Sequence, residues 1–299
     1  IDAGNTQPGR LRAVSGTTDH LQMSTRTASA ATVVAGAAPV IEAHDLCSFY
    51  GARQVLYDIN LTVHPGEIMV IMGHSGCGKT TLFRHLLGLK KQSSGAVRVL
   101  GQDLALLGRK DLYSLRKRLG VAFQNGALFS SMSVRENVEL PLREHTRLDL
   151  NTIRIMSRMK LNFMRLAEHE DLMPAQLSGG MLKRAGLARA VVMDPQLLFF
   201  DEPSAGLDPV SAAELDRLIL DLRSAMRMSI VIITHELQSV FNIADRIMVM
   251  HGGRNLLTGT PDEIRASTDR RIVHMLSRSP HQEEFDADSY MRTLTGEPL

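Results

Sequence analysis

The sequence predicts an α/β fold built on a largely parallel sheet, interrupted by an inserted helical block. Three observations carry that expectation. Short, nearly wholly apolar segments of strand length recur along the chain (Glu67 to Met72, Leu197 to Phe200, Ile230 to Ile233 and Arg246 to Met250), as strands buried on both faces do. Amphipathic helical stretches separate them, with Leu215, Leu218, Ile219 and Leu222 on one helix face. Residues 133 to 193 break the alternation and read as mostly helical.

The elements follow in chain order. Residues 1 to 40 are rich in Ala, Thr, Ser and Gly and show neither period, so they read as a flexible tail. Met23 is the first methionine, and the expectation is that it is the initiator, with 1 to 22 an upstream extension. Ala28 to Ala38 reads either as part of that tail or as the apolar region of a signal peptide; its shortage of Leu, Ile and Phe favours the tail. The pattern tightens from Ile41. Val55 to Val63 and Glu67 to Met72 read as strands and Lys79 to Leu87 as a helix. Val97 to Leu100 and Gly120 to Phe123 are short strands. The helical block follows, with a break from Leu172 to Gly180 around Pro174 and a glycine pair. After Arg246 to Met250 comes a His-Gly-Gly-Arg turn and a last strand, Asn255 to Thr258. The tail beyond about residue 275 is polar, with an acidic cluster at Glu283, Glu284, Asp286 and Asp288. The expected division is a tail over 1–40, a main domain over 41–265 with a helical subdomain at about 125–180, and an extension over 266–299.

Composition narrows the functional classes. With 299 residues, 44% hydrophobic and 22% charged, the chain can bury a sizeable core. Lys and Arg total 34 against 32 Asp and Glu, a net charge of +2, which is a poor footprint for nucleic acid. Two cysteines, Cys47 and Cys77, build neither a disulfide scaffold nor a C-x-x-C zinc site. No apolar run approaches the ~18 residues of a membrane-spanning helix.

Gly73-His74-Ser75-Gly76-Cys77-Gly78-Lys79-Thr80 fits the phosphate-binding pattern G-x-x-x-x-G-K-[ST], and it lies where that pattern must lie, between a buried strand and a helix. Glycines let the backbone curl so that successive N–H groups point at phosphate oxygens, and the helix N-terminus adds a favourable dipole. Lys79 can reach the β- and γ-phosphates, and the Thr80 hydroxyl can ligate Mg2+. A plain turn requires neither residue. Cys77 fits the loop as a small residue.

Leu197 to Phe200 runs directly into Asp201 and Glu202, at the strand end where α/β sheets bind ligands. Asp201 can hold Mg2+, directly or through water. Glu202 can orient or deprotonate an attacking water. Thr234 and His235 follow a second buried strand; from the residues alone His235 is either a structural histidine or a γ-phosphate contact.

Leu177-Ser178-Gly179-Gly180-Met181 resembles the signature motif of the ABC-type ATPases, and the remaining motifs fall in that family's order. Tyr50 resembles the aromatic that stacks on adenine, Gln124 the Q-loop glutamine, Ser204 to Asp208 the D-loop, and His235 the switch histidine. The resemblance covers about residues 41 to 265. It implies a P-loop NTPase (RecA-like) core, an antiparallel β subdomain and an inserted helical subdomain. It also implies ATP and Mg2+, with Thr80, Gln124 and Asp201 toward the metal, and Gly73 through Thr81, Gln124, Ser178, Gly179, Gly180 and Asp208 toward nucleotide. Lys79, Glu202 and His235 would carry catalysis. Met181 stands where most of the family has Gln, which removes a polar side chain but not the Ser hydroxyl or the glycine N–H groups.

The wording of the loops narrows the branch. Asn125-Gly126-Ala127-Leu128-Phe129, Glu136-Asn137-Val138, Pro141 through Thr146 and the Met181 signature together resemble the ATPases of Mla-type phospholipid transporters and related MCE-associated lipid importers. That resemblance implies a head-to-tail homodimer, permease subunits in the membrane, an MCE-domain lipid-binding partner, and a peripheral place on the cytoplasmic face of the inner membrane. The implied task is moving phospholipid between membranes to maintain outer-membrane lipid asymmetry. Leu128 and Phe129 are either part of a groove for the permease or core residues. Other readings keep the enzyme but change the cargo to amino acids or small polar solutes, or move it to DNA repair or translation, or reduce it to a non-catalytic nucleotide module. An intact Lys79, Asp201, Glu202 and His235 set speaks against the last.

Overall fold

The computed structural model describes residues 37–277. Residue 23, most of the Ala-rich tail and the acidic cluster at 283–288 lie outside the described residues.

Two sheets form. The smaller is antiparallel and joins β1 (Ile41–Tyr50), β2 (Arg53–Val63), β4 (Ser94–Val99) and β5 (Gln102–Asp103) in the order β2-β1-β4-β5. The larger joins β3 (Ile68–Gly73), β6 (Leu119–Ala122), β7 (Leu197–Asp201), β8 (Ser229–Thr234), β9 (Arg246–His251) and β10 (Arg254–Gly259) in the order β10-β9-β3-β8-β7-β6. Its pairings are parallel except that β10 runs antiparallel to β9.

Strand periodicity divides the core in two. Ile68, Val70 and Met72 of β3 point into one cluster, and Met69 and Ile71 into the other. The same alternation holds in β7 and β8. The second cluster is shared with the antiparallel sheet and with α1 (Lys79–Leu86), where Phe83 meets Phe199 edge-on. The first is covered by the helical block, α3 (Val134–His145), α4 (Leu150–Phe163) and α5 (Gly179–Val191), and by α6 (Pro209–Met226) and α7 (Leu237–Ile243). Strands covered on both faces carry no polar alternation, which is why they read as unbroken apolar runs.

Side-chain caps set the helix starts. Ser133 and Glu136 form a capping box on α3, Asp149 caps α4, Ser178 caps α5 and Asp208 caps α6. Between β5 and β6 lies α2 (Arg109–Arg116), of which Leu115 alone is buried. Packed structure continues past residue 265: after α8 (Pro261–Arg265), Ile272 of α9 (Arg270–Leu276) is buried in the first cluster.

Candidate functional site

Strand order decides what meets at the site. β9, β3, β8, β7 and β6 lie side by side and run the same way, with Met72 opposite Thr234, Asp201 opposite Ile233, and Ala122 opposite Phe200. The loops leaving their carboxyl ends therefore share one edge of the sheet. That edge gathers the Gly73-to-Thr80 loop, Thr234 and His235, Asp201 and Glu202, and Gln124.

The glycine loop is built for close backbone approach. Gly76 and Gly78 hold φ of 78° and 107°, and a Cβ on Gly78 would lie 2.8 Å from Leu56 Cδ2. Lys79 is buried, and its Nζ donates to the carbonyls of Gly73 (2.6 Å) and His74 (3.1 Å), so the ammonium lies within the loop's own curl. Unlike α3 to α6, α1 has no side-chain cap, and its first turn carries no acid. Its first N–H groups and its dipole are uncompensated by the protein, which suits a phosphate. Thr80 is exposed and Thr81 buried. Cys77 is buried and burial pushes its thiol pKa up, as expected of a packing residue.

Glu202 turns sharply out of β7, with φ of 50° and its N–H donating to Ile233 O at 2.9 Å. That left-handed backbone is uncommon for a residue with a side chain. It aims the carboxylate at β8, where Oε2 accepts from Thr234 Oγ1 (3.0 Å) and the His235 N–H (3.3 Å), and Oε1 pairs with His235 Nδ1 (2.9 Å). Asp201 stays on the strand. Burial, and then the charge of Glu202, push its carboxyl above the usual range, against the pull of Lys79 and Arg84. Thr234 is a participant that sequence reading did not assign; its only signal was its place before His235.

A cleft of about 350 Å3 lies between Gly73, His74 and Ser75, the segment His235 to Leu237, and His274 and Met275 of α9. Tyr50 is 45% exposed, with Lys90 Nζ 3.9 Å from its ring centroid and Arg84 reaching its hydroxyl. Gln124 lies exposed just past β6.

Ser178 stands apart from the glycine loop. Three strand steps separate β3 from β6, whose side α5 packs against, a span of about 14 Å. Ser178 Oγ accepts from the Met181 N–H (3.3 Å), and exposed Gly179 follows it. Asp208 accepts from the Val210 and Ser211 N–H groups, and the bonds from Ser211 hold its carboxyl below the usual range.

The Q-loop turn is fixed by a buried side chain. Asn137 Nδ2 donates to the carbonyls of Phe129, Met132 and Ser133, and its Oδ1 accepts from the Phe129 N–H at 2.7 Å. The clasp presents Phe129 52% exposed, while Leu128 packs against the first core cluster.

The ABC transporter family pattern matches residues 56–205. The chain is 39% identical to the intermembrane phospholipid transport system ATP-binding protein MlaF of Haemophilus influenzae, over 85% of this chain and 98% of that protein. It is 37% identical to the probable ribonucleotide transport ATP-binding protein mkl of Mycobacterium bovis, over 82% of this chain and 70% of that one. Among solved structures it is similar to a dimeric ATP-binding cassette in a post-hydrolysis state with ADP and Pi bound, at 26% identity and a TM-score of 0.68, over 74% of this chain and 98% of that one.

Proposed function

The chain belongs to the ABC transporter family, and on that footing we propose that it is the ATP-hydrolysing subunit driving an intermembrane phospholipid transport complex. The observation that carries the enzymatic part is the meeting of the Lys79 loop with the Glu202–His235 pair on one sheet edge.

In this reading the uncapped N-terminus of α1 and Lys79 bind the β- and γ-phosphates, and Tyr50 lies against the base. Glu202 takes a proton from the attacking water. Thr234 and His235 fix its carboxylate, and His235 is placed to follow the γ-phosphate. Thr80, Asp201 and Gln124 supply hard oxygen donors, and the raised carboxyl of Asp201 beside Glu202 fits a site that receives a divalent cation. Mg2+ bound there would neutralise charge on the β- and γ-oxygens.

Ser178 and Gly179, remote from their own glycine loop, serve with Asp208 the nucleotide of a second copy in a head-to-tail dimer. The hydroxyl and N–H groups at the head of α5 then close on its γ-phosphate. Phe129, held out by Asn137, meets a permease subunit. Among the described residues no helix is long and apolar enough to cross a membrane, which suits a peripheral subunit on the cytoplasmic face of the inner membrane. An MCE-domain lipid carrier completes the proposed complex, which would maintain outer-membrane lipid asymmetry.

The relative named for ribonucleotide transport supports a second reading, in which the same ATPase drives import of a polar solute. Purification from native membranes in mild detergent, with mass spectrometry of co-purifying proteins and lipids, separates the two. An MCE-domain protein with bound phospholipid is expected. A permease with a solute-binding protein and no lipid would overturn the phospholipid assignment.

A further inference from the structure

Helix α5 carries three cations to which the functional reading gives no role: Arg184 pairs with Glu214, and the other two grip backbone. Lys183, in its second turn, donates from Nζ to the carbonyls of Pro203 (2.6 Å) and Ala205 (2.5 Å). Arg189, near its end, donates from Nη1 to Ala127 O (2.8 Å) and from Nη2 to Gly126 O (3.0 Å). The first pair of carbonyls follows Glu202 and the second follows Gln124. Between Lys183 and Arg189, Gly186 touches the turn directly: a Cβ on it would lie 2.7 Å from Gly126 Cα. One helix, headed by Ser178, is thus fastened to the loops leaving both β6 and β7.

Lys183 has an uncommon setting. A lysine ammonium is a strongly hydrated point charge. Here burial pushes its pKa down, the charge of Glu202 pushes back, and its bonding partners are backbone carbonyls rather than a carboxylate. The loop it grips is tightly folded. Glu202 and Gly206 hold φ of 50° and 75°, the Ala205 N–H donates to Glu202 O (3.3 Å), and the Leu207 N–H donates to Ser204 O (3.1 Å). A left-handed backbone at Glu202 persists only where its surroundings over-determine it. The two bonds from Lys183, just beyond that residue, do so.

We infer that Lys183 is a positioning residue for hydrolysis: it locks the turn after Glu202 to the helix headed by Ser178, so that docking of Ser178 on a partner copy's nucleotide sets Glu202 of its own copy. The inference rests on the ATPase reading above. Two bonds from one ammonium tie the turn to α5, so moving the helix without the turn would cost both. Arg189 fastens the same helix at the Q-loop.

The test uses full-length Lys183→Met, Lys183→Gln and Lys183→Arg chains, with steady-state hydrolysis, ATP affinity and thermal melting. Met keeps the apolar stem and loses every donor, so kcat should fall by about tenfold or more while KM and ATP affinity stay within about threefold. Arg, whose fork reaches two carbonyls, should restore kcat to within about threefold of wild type. Should the Met chain fail to fold, low kcat in Gln against recovery in Arg supports the same conclusion. Full kcat in the Met chain, equal losses in Gln and Arg, or a loss of ATP affinity with kcat intact would overturn it. A wild-type chain that hydrolyses no ATP would overturn the reading beneath it; an active wild type with an active Met chain overturns the inference alone.

Discussion

Glu202 and His235 are joined twice: one carboxylate oxygen accepts the His235 backbone N–H at 3.3 Å, and the other pairs with the ring Nδ1 at 2.9 Å. The pairing exists because β7 and β8 are neighbours in register, so residues far apart in sequence leave adjacent strand ends. It fixes both the carboxylate's direction and the orientation of the imidazole ring.

Glu202→Gln therefore keeps size and most contacts but loses the base. Turnover should fall by roughly 10²–10⁴, with ATP affinity unchanged. Steady-state hydrolysis beside nucleotide titration checks this. Normal turnover would remove Glu202 from the role of base.

Ser178→Asn tests which site the signature loop serves. Asn remains a competent N-cap for α5, so the fold should survive. Its bulk should hinder phosphate approach. In mixed dimers the lost activity should belong to the opposite copy's Lys79 loop. Loss at the mutant copy's own loop would rule out the head-to-tail arrangement.

Asp201→Asn should raise the melting temperature of the nucleotide-free protein while abolishing Mg2+-dependent hydrolysis. The carboxyl is held above its ordinary value of 3.8 by burial and by Glu202, so its ionised form is disfavoured in the fold. That cost is present above the folded pKa and fades as pH falls toward the ordinary value. The advantage of the Asn variant should accordingly be largest at neutral pH and shrink in acid. A less stable Asn variant at pH 7 would contradict this.

His85 sets an acid-sensitive limb. It is buried in α1, and burial lowers its pKa from 6.5 to about 4. Below 6.5 the unfolded chain takes a proton that the folded chain refuses, so stability falls as pH drops from 6.5 toward 4, by up to about 3 kcal/mol over the whole interval. His85→Leu should flatten that limb in denaturant melts. An identical acid limb in both proteins would refute the assignment.

Much of this was legible in the chain, for physical reasons. The glycine loop is legible because phosphate binding demands particular residues at fixed spacing. β3, β7 and β8 are legible because strands covered on both faces cannot carry polar residues. β1 is not, because register shifts and the left-handed Asp45 break its alternation. α2 buries one leucine and α9 one isoleucine, too little to leave a stripe. Leu128 and Phe129 look alike in sequence, yet the Asn137 clasp sends one to the core and the other outward. Lys183 and Arg189 left no trace, since their partners are carbonyls, and every residue has one.

The most direct test is the mass of the Glu202→Gln chain in solution with and without ATP, by light scattering. ATP should convert it from a 33.0 kDa monomer to a dimer of twice that mass, and the added Ser178→Asn change should prevent the conversion. A chain that binds ATP and stays monomeric, or a dimer indifferent to Ser178, would contradict the shared-site mechanism.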